Sequence, residues 1–277
     1  MLNLKLKPEE KAALNLRSLY ESSGYYFYRM SRFEEYDFYA DKKDFLTSKN
    51  ILTFTDINGK LMALRPDVTL SIIKHVKNSE EIQKFYYDEK VYRVPKNADS
   101  FREISQAGVE CVGNLTAENI REVLELALKS LETIAEGKNF VLDVADAGLI
   151  SELLKEIDEA PKNEILECIA AKNIHGLKAL NAPEKIINLI QNGETDSEIL
   201  KIIQPIKNKD KIKIDYSAVE NLNYYNGLVF RGFIEGIPES ILSGGQYDIL
   251  MKKMGRKNSR AIGFAVYLDL IRGEKNA

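Results

Sequence analysis

Two aromatic, β-branched stretches constrain this chain more than anything else in it. They are KFYYDEKVYRV (Lys84–Val94) and FREISQAGVECVG (Phe101–Gly113), separated by six residues of loop composition, PKNADS (Pro95–Ser100). So short a connection returns the chain alongside itself, and the pair predicts antiparallel strands. A second hairpin precedes them. ILTFTDI (Ile51–Ile57) and KLMALR (Lys60–Arg65) flank Asn58-Gly59, a dipeptide that tolerates the positive φ values of a tight hairpin turn. Parallel βαβ units need much longer crossovers, so this part of the chain reads as antiparallel sheet.

Helical periodicity begins after Gly113. Ile120, Val123, Leu124, Ala127, Leu131 and Ile134 share one face of a 3.6-residue repeat. Thr116 suits the N-cap, Glu118 the positive first turn and Gly137 the stop. NFVLDVAD (Asn139–Asp146) then reads as strand. Short helical patterns recur at Leu149–Ile157, Ile165–Ala171, Pro183–Ile190 and Glu198–Ile203, punctuated by Pro161, Pro183 and Gly193. β texture returns at Lys211–Ala218 and Gly227–Ile234, and a helix is expected from Arg260 to Ile271. The predicted fold class is α+β: a mostly antiparallel sheet flanked by helices, built from residues 1–147 and 208–277, with a small all-helical insertion at 148–207.

Composition removes several function classes. The chain has 277 residues, enough for one or two domains, and 44% of them are hydrophobic. Its 39 basic and 42 acidic side chains leave a net charge of −3, unlike a domain built to grip polyanions. Cys111 and Cys168 are too few for a disulfide framework and too far apart for a paired metal or redox motif. With only His75 and His175, HExxH is absent and no metal site is expected. The charged N-terminal residues lack a signal-peptide apolar core, and no apolar run is long enough to span a membrane, so a cytoplasmic protein is expected.

No phosphate-cradling glycine motif and no nucleophile elbow is present. Polar groups concentrate instead in four segments. LRPDVT (Leu64–Thr69) presents Asp67 and Thr69 on a turn, where they suit either a ligand or a helix cap. Tyr92-Arg93 accompanies REISQAGVE, in which Arg102, Ile104, Gln106, Gly108 and Glu110 share one side of a strand, a polar face that suits either a ligand or, on an edge sheet, solvent. NYYNGLVF (Asn223–Phe230) carries Tyr224 and Tyr225. SGGQYD (Ser243–Asp248) carries Tyr247 behind Gly244-Gly245, whose missing side chains allow close backbone approach. For the last two, β-turns with packed tyrosines are the alternative. Together a carboxylate, an amide and phenolic hydroxyls suit a small amphoteric ligand.

The same four segments, in this order, resemble the catalytic core of histidyl-tRNA synthetase, a class II aminoacyl-tRNA synthetase. LRPDVT is similar to that family's LRPE-x-T. VYR…FREISQAGVECVG resembles motif 2, NLNYYNGLVF resembles RGLDYYTG-x-VF, and SGGQYDIL with AIGFAVYLDLI resembles GGRYD-x-L followed by motif 3. The resemblance implies that Asp67, Thr69, Gln106, Glu110, Tyr224, Tyr225 and Tyr247 are histidine-contacting positions, with Arg93 or Arg102 as the counter-charge for the ligand's carboxylate.

The departures bear on ATP chemistry. Aligned on Tyr224-Tyr225, Glu220 stands where the family has a catalytic arginine, and Asp269-Leu270 replaces the Glu-Arg that ends motif 3. The motif 2 loop has no arginine between Arg93 and Arg102, and the proline of motif 1 has no counterpart near Met30-Ser31. Adenylate formation depends on such cationic clamps. Motif 3 also falls at the end of the sequence, where an anticodon-binding domain would follow. An amino-acid pocket kept while ATP chemistry is lost resembles the regulatory subunits of ATP phosphoribosyltransferase, the first enzyme of histidine biosynthesis. That resemblance implies a non-catalytic homodimer without cofactor or nucleic acid. It would assemble with the short-form catalytic subunit into a hetero-oligomer and mediate histidine feedback. A divergent or truncated synthetase-like protein with another role is the alternative.

Overall fold

The computed structural model describes residues 6–46, 50–77, 79, 81–95, 99–155, 157–193, 197–219, 222, 224–256 and 258–272. Its strands are β1 (Tyr26–Phe27), β2 (Phe33–Glu35), β3 (Thr53–Thr55), β4 (Leu61–Leu64), β5 (Gln83–Arg93), β6 (Arg102–Gly113), β7 (Phe140–Asp146), β8 (Ile212–Ile214), β9 (Leu228–Ile234), β10 (Leu242–Gln246) and β11 (Arg260–Tyr267). The helices are α1 (Pro8–Ser22), α2 (Tyr36–Ala40), α3 (Val68–His75), α4 (Ala117–Ala135), α5 (Ala147–Leu153), α6 (Glu159–Ala170), α7 (Ile174–Ala179), α8 (Glu184–Asn192), α9 (Ser197–Ile203) and α10 (Asp248–Lys253). Among the described residues no helix is long and apolar enough to cross a membrane.

The described strands form an eight-stranded sheet in the order β1-β5-β6-β11-β10-β9-β7-β8 and a three-stranded sheet, β2-β4-β3. The long hairpin is as predicted: β5 and β6 pair without a break from Gln83↔Val112 to Arg93↔Arg102. The Asn58-Gly59 hairpin also forms, joining β3 to β4, with Gly59 at φ 78°. The large sheet is mixed rather than mostly antiparallel, because β1 lies parallel to β5 and β8 parallel to β7. These parallel strands are two and three residues long, too short to leave an alternation in the sequence.

The closing helix expected at Arg260–Ile271 is a second correction. Arg260–Tyr267 is strand β11, enclosed between β6 and β10, and only Leu268–Arg272 winds into a 3-10 turn. Ala261, Ile262, Gly263 and Phe264 are all buried, so the segment is apolar at successive positions and shows no period of two. SGGQ is likewise strand rather than turn: Ser243–Gln246 belong to β10. A side chain at Gly244 would put its Cβ 2.4 Å from Gly263 O, so close strand packing demands that glycine.

Helix α4 packs its predicted stripe against one face of the large sheet. Ile120, Val123, Leu124 and Leu131 are buried against Val109, Leu142, Val144 and Phe230. Thr116 and Asn119 cap its start reciprocally, and the chain leaves it through Glu136 (φ 49°) and Gly137 (φ 88°). Helices α5 to α8 pack among themselves and onto Ala145 and Val229. Helix α7 was not expected: Gly176 masks it in the sequence, but the Asn173 side chain caps it at Gly176 N (2.9 Å). Ile199 and Ile203 of α9 join the cluster under α4 instead.

Candidate functional site

On the sheet face opposite α4 lies a cavity of about 380 Å³, within the range of small-ligand pockets. Its floor is a cross-strand row. Arg231 on β9 pairs with Ser243 on β10, Ser243 with Ala265 on β11, Ala265 with Gly108 on β6, and Gly108 with Tyr87 on β5. Three small residues in succession leave the hollow. A Cβ at Gly108 would lie 2.5 Å from Tyr87 Oη and 2.2 Å from Phe264 O, so that position admits only glycine.

One wall comes from LRPDVT. Arg65, fully buried, donates from Nη1 to Ser31 O (2.7 Å) and from Nη2 to Glu89 Oε2 (2.7 Å) and Lys90 O (2.8 Å). This pins the end of β4 to β5. Asp67 follows in extended conformation and caps α3 by accepting from Leu70 N at 2.8 Å. The capping and cavity-lining readings of Asp67 therefore hold together. Burial raises its carboxyl above the usual range, opposed by the Leu70 N–H and by Arg93.

Glu110 is the most buried acid of the cavity, 1% exposed. Thr69 Oγ1 donates to its Oε1 at 2.6 Å, and the Tyr247 hydroxyl donates to its Oε2. Burial pushes its carboxyl up to about 8, against the lowering effect of those two hydrogen bonds. Burial also raises the Tyr224, Tyr225 and Tyr247 hydroxyls, keeping them protonated at neutral pH. Tyr224 touches Tyr225 edge-on, with centroids 4.7 Å apart, and lies 5.8 Å from the Tyr247 ring.

Of the sequence-predicted residues, Asp67, Thr69, Arg93, Gln106, Glu110, Tyr224, Tyr225 and Tyr247 line this one cavity. Arg102 does not. It is exposed at the loop end of the β5–β6 hairpin and lines a separate hollow of about 760 Å³ beside α1 and the end of α4. Arg102 is the first residue of β6, at the strand end away from Gln106 and Glu110, and falls outside the cavity despite their shared parity. Sequence reasoning missed Arg231, Ser243, Tyr87 and Tyr267. Arg231 had a signal: it is the one charged residue of GLVFRGFI. Asp269 accepts from Ser105 N at 2.7 Å, tying the last turn to β6, while Leu270 lines the second hollow. Glu220 and residues 96–98 of the motif 2 loop lie outside the described residues. Among the described residues, no group of three or more His, Cys, Asp or Glu is placed to hold a metal ion.

The sequence model of the family described as histidyl-tRNA synthetase matches residues 2–192 and 188–271. A protein of Caldanaerobacter subterraneus named ATP phosphoribosyltransferase regulatory subunit is 30% identical, over 92% of this chain and 75% of its own length. One of the same name from Lactococcus lactis is 28% identical, over 96% of this chain and 92% of its own. Among solved structures, an ATP phosphoribosyltransferase regulatory subunit/histidyl-tRNA synthetase from Bacillus halodurans superposes with TM-score 0.80 at 22% identity, covering 98% of this chain and 80% of that one. The ATP phosphoribosyl transferase (HisG:HisZ) complex from Thermotoga maritima superposes with TM-score 0.74 at 19% identity, covering 96% of this chain and 98% of that one. These two likenesses establish the fold.

Proposed function

Because the chain belongs to the histidyl-tRNA synthetase family and, within it, to the regulatory subunits of ATP phosphoribosyltransferase, we propose that it activates the short-form catalytic subunit and mediates histidine feedback without catalysis of its own. The observation that carries this reading is the 30% identity over 92% of the chain with a relative bearing that name. In this reading the protein is a cytoplasmic homodimer within a hetero-oligomer, as the solved complex of a structural relative suggests for the hetero-oligomer. The exposed aromatics Tyr26, Phe27, Phe33 and Phe54 offer surface for such contacts.

Histidine is the proposed ligand of the cavity on the sheet. Asp67 suits the ammonium, Gln106 both donates and accepts, and Glu110 with the tyrosine hydroxyls suits an imidazole. A ligand that binds one assembly state better than another shifts the population toward it, which is how an amino-acid pocket regulates a partner's active site.

The test is reconstitution. The purified chain is mixed with the short-form catalytic subunit of the same organism, and phosphoribosyl transfer to ATP is followed with and without histidine. Activation by this chain and suppression by histidine support the reading. Unchanged activity without co-elution overturns it. Histidine-dependent exchange of label from pyrophosphate into ATP by this chain alone would overturn the non-catalytic assignment and favour a working synthetase core.

A further inference from the structure

A third hollow, of about 400 Å³, opens on the α4 face of the large sheet, against the first turn of α4 and the helices α5 and α9. Four strands bring their ends to it. Asp146 closes β7, Leu228 opens β9, Gln246 closes β10 and Arg260 opens β11. Asp146 pairs across the sheet with Leu228, and Leu228 N donates to Gln246 Oε1 at 2.9 Å. Asp146 and Gln246 therefore flank one strand, their backbones roughly 9–10 Å apart by two strand spacings. Two glycines make the room. A Cβ at Gly227 would lie 2.6 Å from Gln246 Oε1, and one at Gly148 would lie 3.0 Å from Asp146 Oδ1.

Gln246 is only 5% exposed, yet its Nε2 donates to no described residue. A buried amide donor is costly to leave unpaired, and this one borders the hollow. The charges around it are settled pair by pair. Arg260 Nε donates to Asp248 Oδ2 at 3.3 Å, and Glu198 pairs with Lys201 at 2.8 Å. Asp146 is left over. Its Oδ1 accepts from Leu149 N at 3.0 Å to cap α5, and it forms no ion pair with any described residue. One uncompensated carboxylate thus stands beside one unpaired amide donor, with Leu149, Ile199 and Ile202 as an apolar wall.

We propose that this hollow binds a small aliphatic amine. Its ammonium sits on Asp146, a hydroxyl or carbonyl oxygen of the same molecule accepts from Gln246 Nε2, and its alkyl body lies against α5 and α9. The site is separate from the cavity on the opposite face and stands whether or not that cavity holds an amino acid.

The test is ligand-observed NMR titration of the full chain with L-leucinol, which carries an amine, a neighbouring hydroxyl and a branched alkyl body. The control is 4-methylpentan-1-ol, the same molecule without the amine. Leucinol should bind roughly ten- to hundredfold more tightly than the control, the range of a charge-assisted hydrogen bond. Asp146→Asn keeps a helix cap but not the charge, and should erase that preference. Excess L-histidine should leave leucinol bound. Ile202→Lys, which sets an ammonium of the chain's own at the rim on α9, should block leucinol and is the readout if the asparagine variant does not fold. Equal binding of the two probes, binding of neither, or a preference that survives in both variants overturns the proposal. Displacement of leucinol by histidine overturns it too, by placing the amine in the other cavity.

Discussion

The Tyr247 hydroxyl donates to Glu110 Oε2 across the floor of the cavity, joining the N-cap of α10 to strand β6. Thr69 closes the other side of the same carboxyl. With a folded value near 8 against 4.5 for the free side chain, the folded state binds the extra proton between those two pH values. Stability attributable to Glu110 is therefore greatest below pH 4.5 and falls as pH rises toward 8, by on the order of 1 kcal/mol per unit at most. Glu110→Gln carries no titrating proton, and the two hydroxyls can still bond to it in either sense. The difference in unfolding free energy between wild type and this variant should shift in the variant's favour from pH 5 to pH 8. Urea midpoints at pH 5, 6.5 and 8 measure it. A flat difference would place the proton on another group.

Gly263 lies directly beneath Glu110. A Cβ there would fall 1.9 Å from Glu110 Oε2 and 2.4 Å from Val109 O. Gly263→Ala must displace the carboxyl or spread β11 from β6, and should destabilise the fold by about 1–3 kcal/mol. Combined with Glu110→Ala the cost should be less than the sum, because one of the two clashes disappears. The relief is partial, since the Val109 carbonyl stays. Thermal midpoints of the two single variants and the double variant give the coupling, and strict additivity would sink this account.

Asp67 serves two purposes that separate by substitution. Asparagine caps a helix about as well as aspartate, whereas alanine loses roughly 1 kcal/mol. Asp67→Asn should therefore leave stability near wild type, and Asp67→Ala should lower it by about that amount through the lost bond to Leu70 N. Both should weaken histidine binding, because neither presents an anion to the ammonium. If Asp67→Asn binds histidine like wild type, the ammonium is held elsewhere.

How legible these features were in the sequence depended on whether a residue's surroundings lay nearby in the chain. The α4 stripe from Ile120 to Ile134 and the alternating strands about Pro95–Ser100 report their own environment, and both form as read. Strand β11 does not, because burial on both faces erases alternation and leaves an apolar run that suits a helix equally well. Gly244 and Gly245 look like a turn until Gly263, Phe264 and Tyr225 are brought against them. The cavity followed the same rule. Gln106 and Glu110, four residues apart, were placed together by parity alone. Arg231 became a lining residue only once β9 was set beside β10, and Arg102, the first residue of β6, lines a different hollow although parity groups it with Gln106.

Arg65 is the remaining structural anchor of the site, and its removal should be the most damaging change near it. The guanidinium is completely buried and binds a carboxylate and two carbonyls from three separate positions, Glu89, Ser31 and Lys90. Arg65→Met fills much of the volume but leaves the mostly buried Glu89 without its partner, a loss of about 3–5 kcal/mol when one member of a buried pair is removed. Glu89→Gln in the same chain should recover part of it, since a neutral amide tolerates burial better. Pro66 and Asp67 follow Arg65 directly, so the substitution should also loosen the start of α3 and weaken histidine binding beyond the stability loss. Denaturation of Arg65→Met and of the double variant, with histidine titrations on both, tests each part. A single variant within about 1 kcal/mol of wild type would mean that the pair behaves as a surface ion pair and that the wall of the cavity is held by its backbone alone.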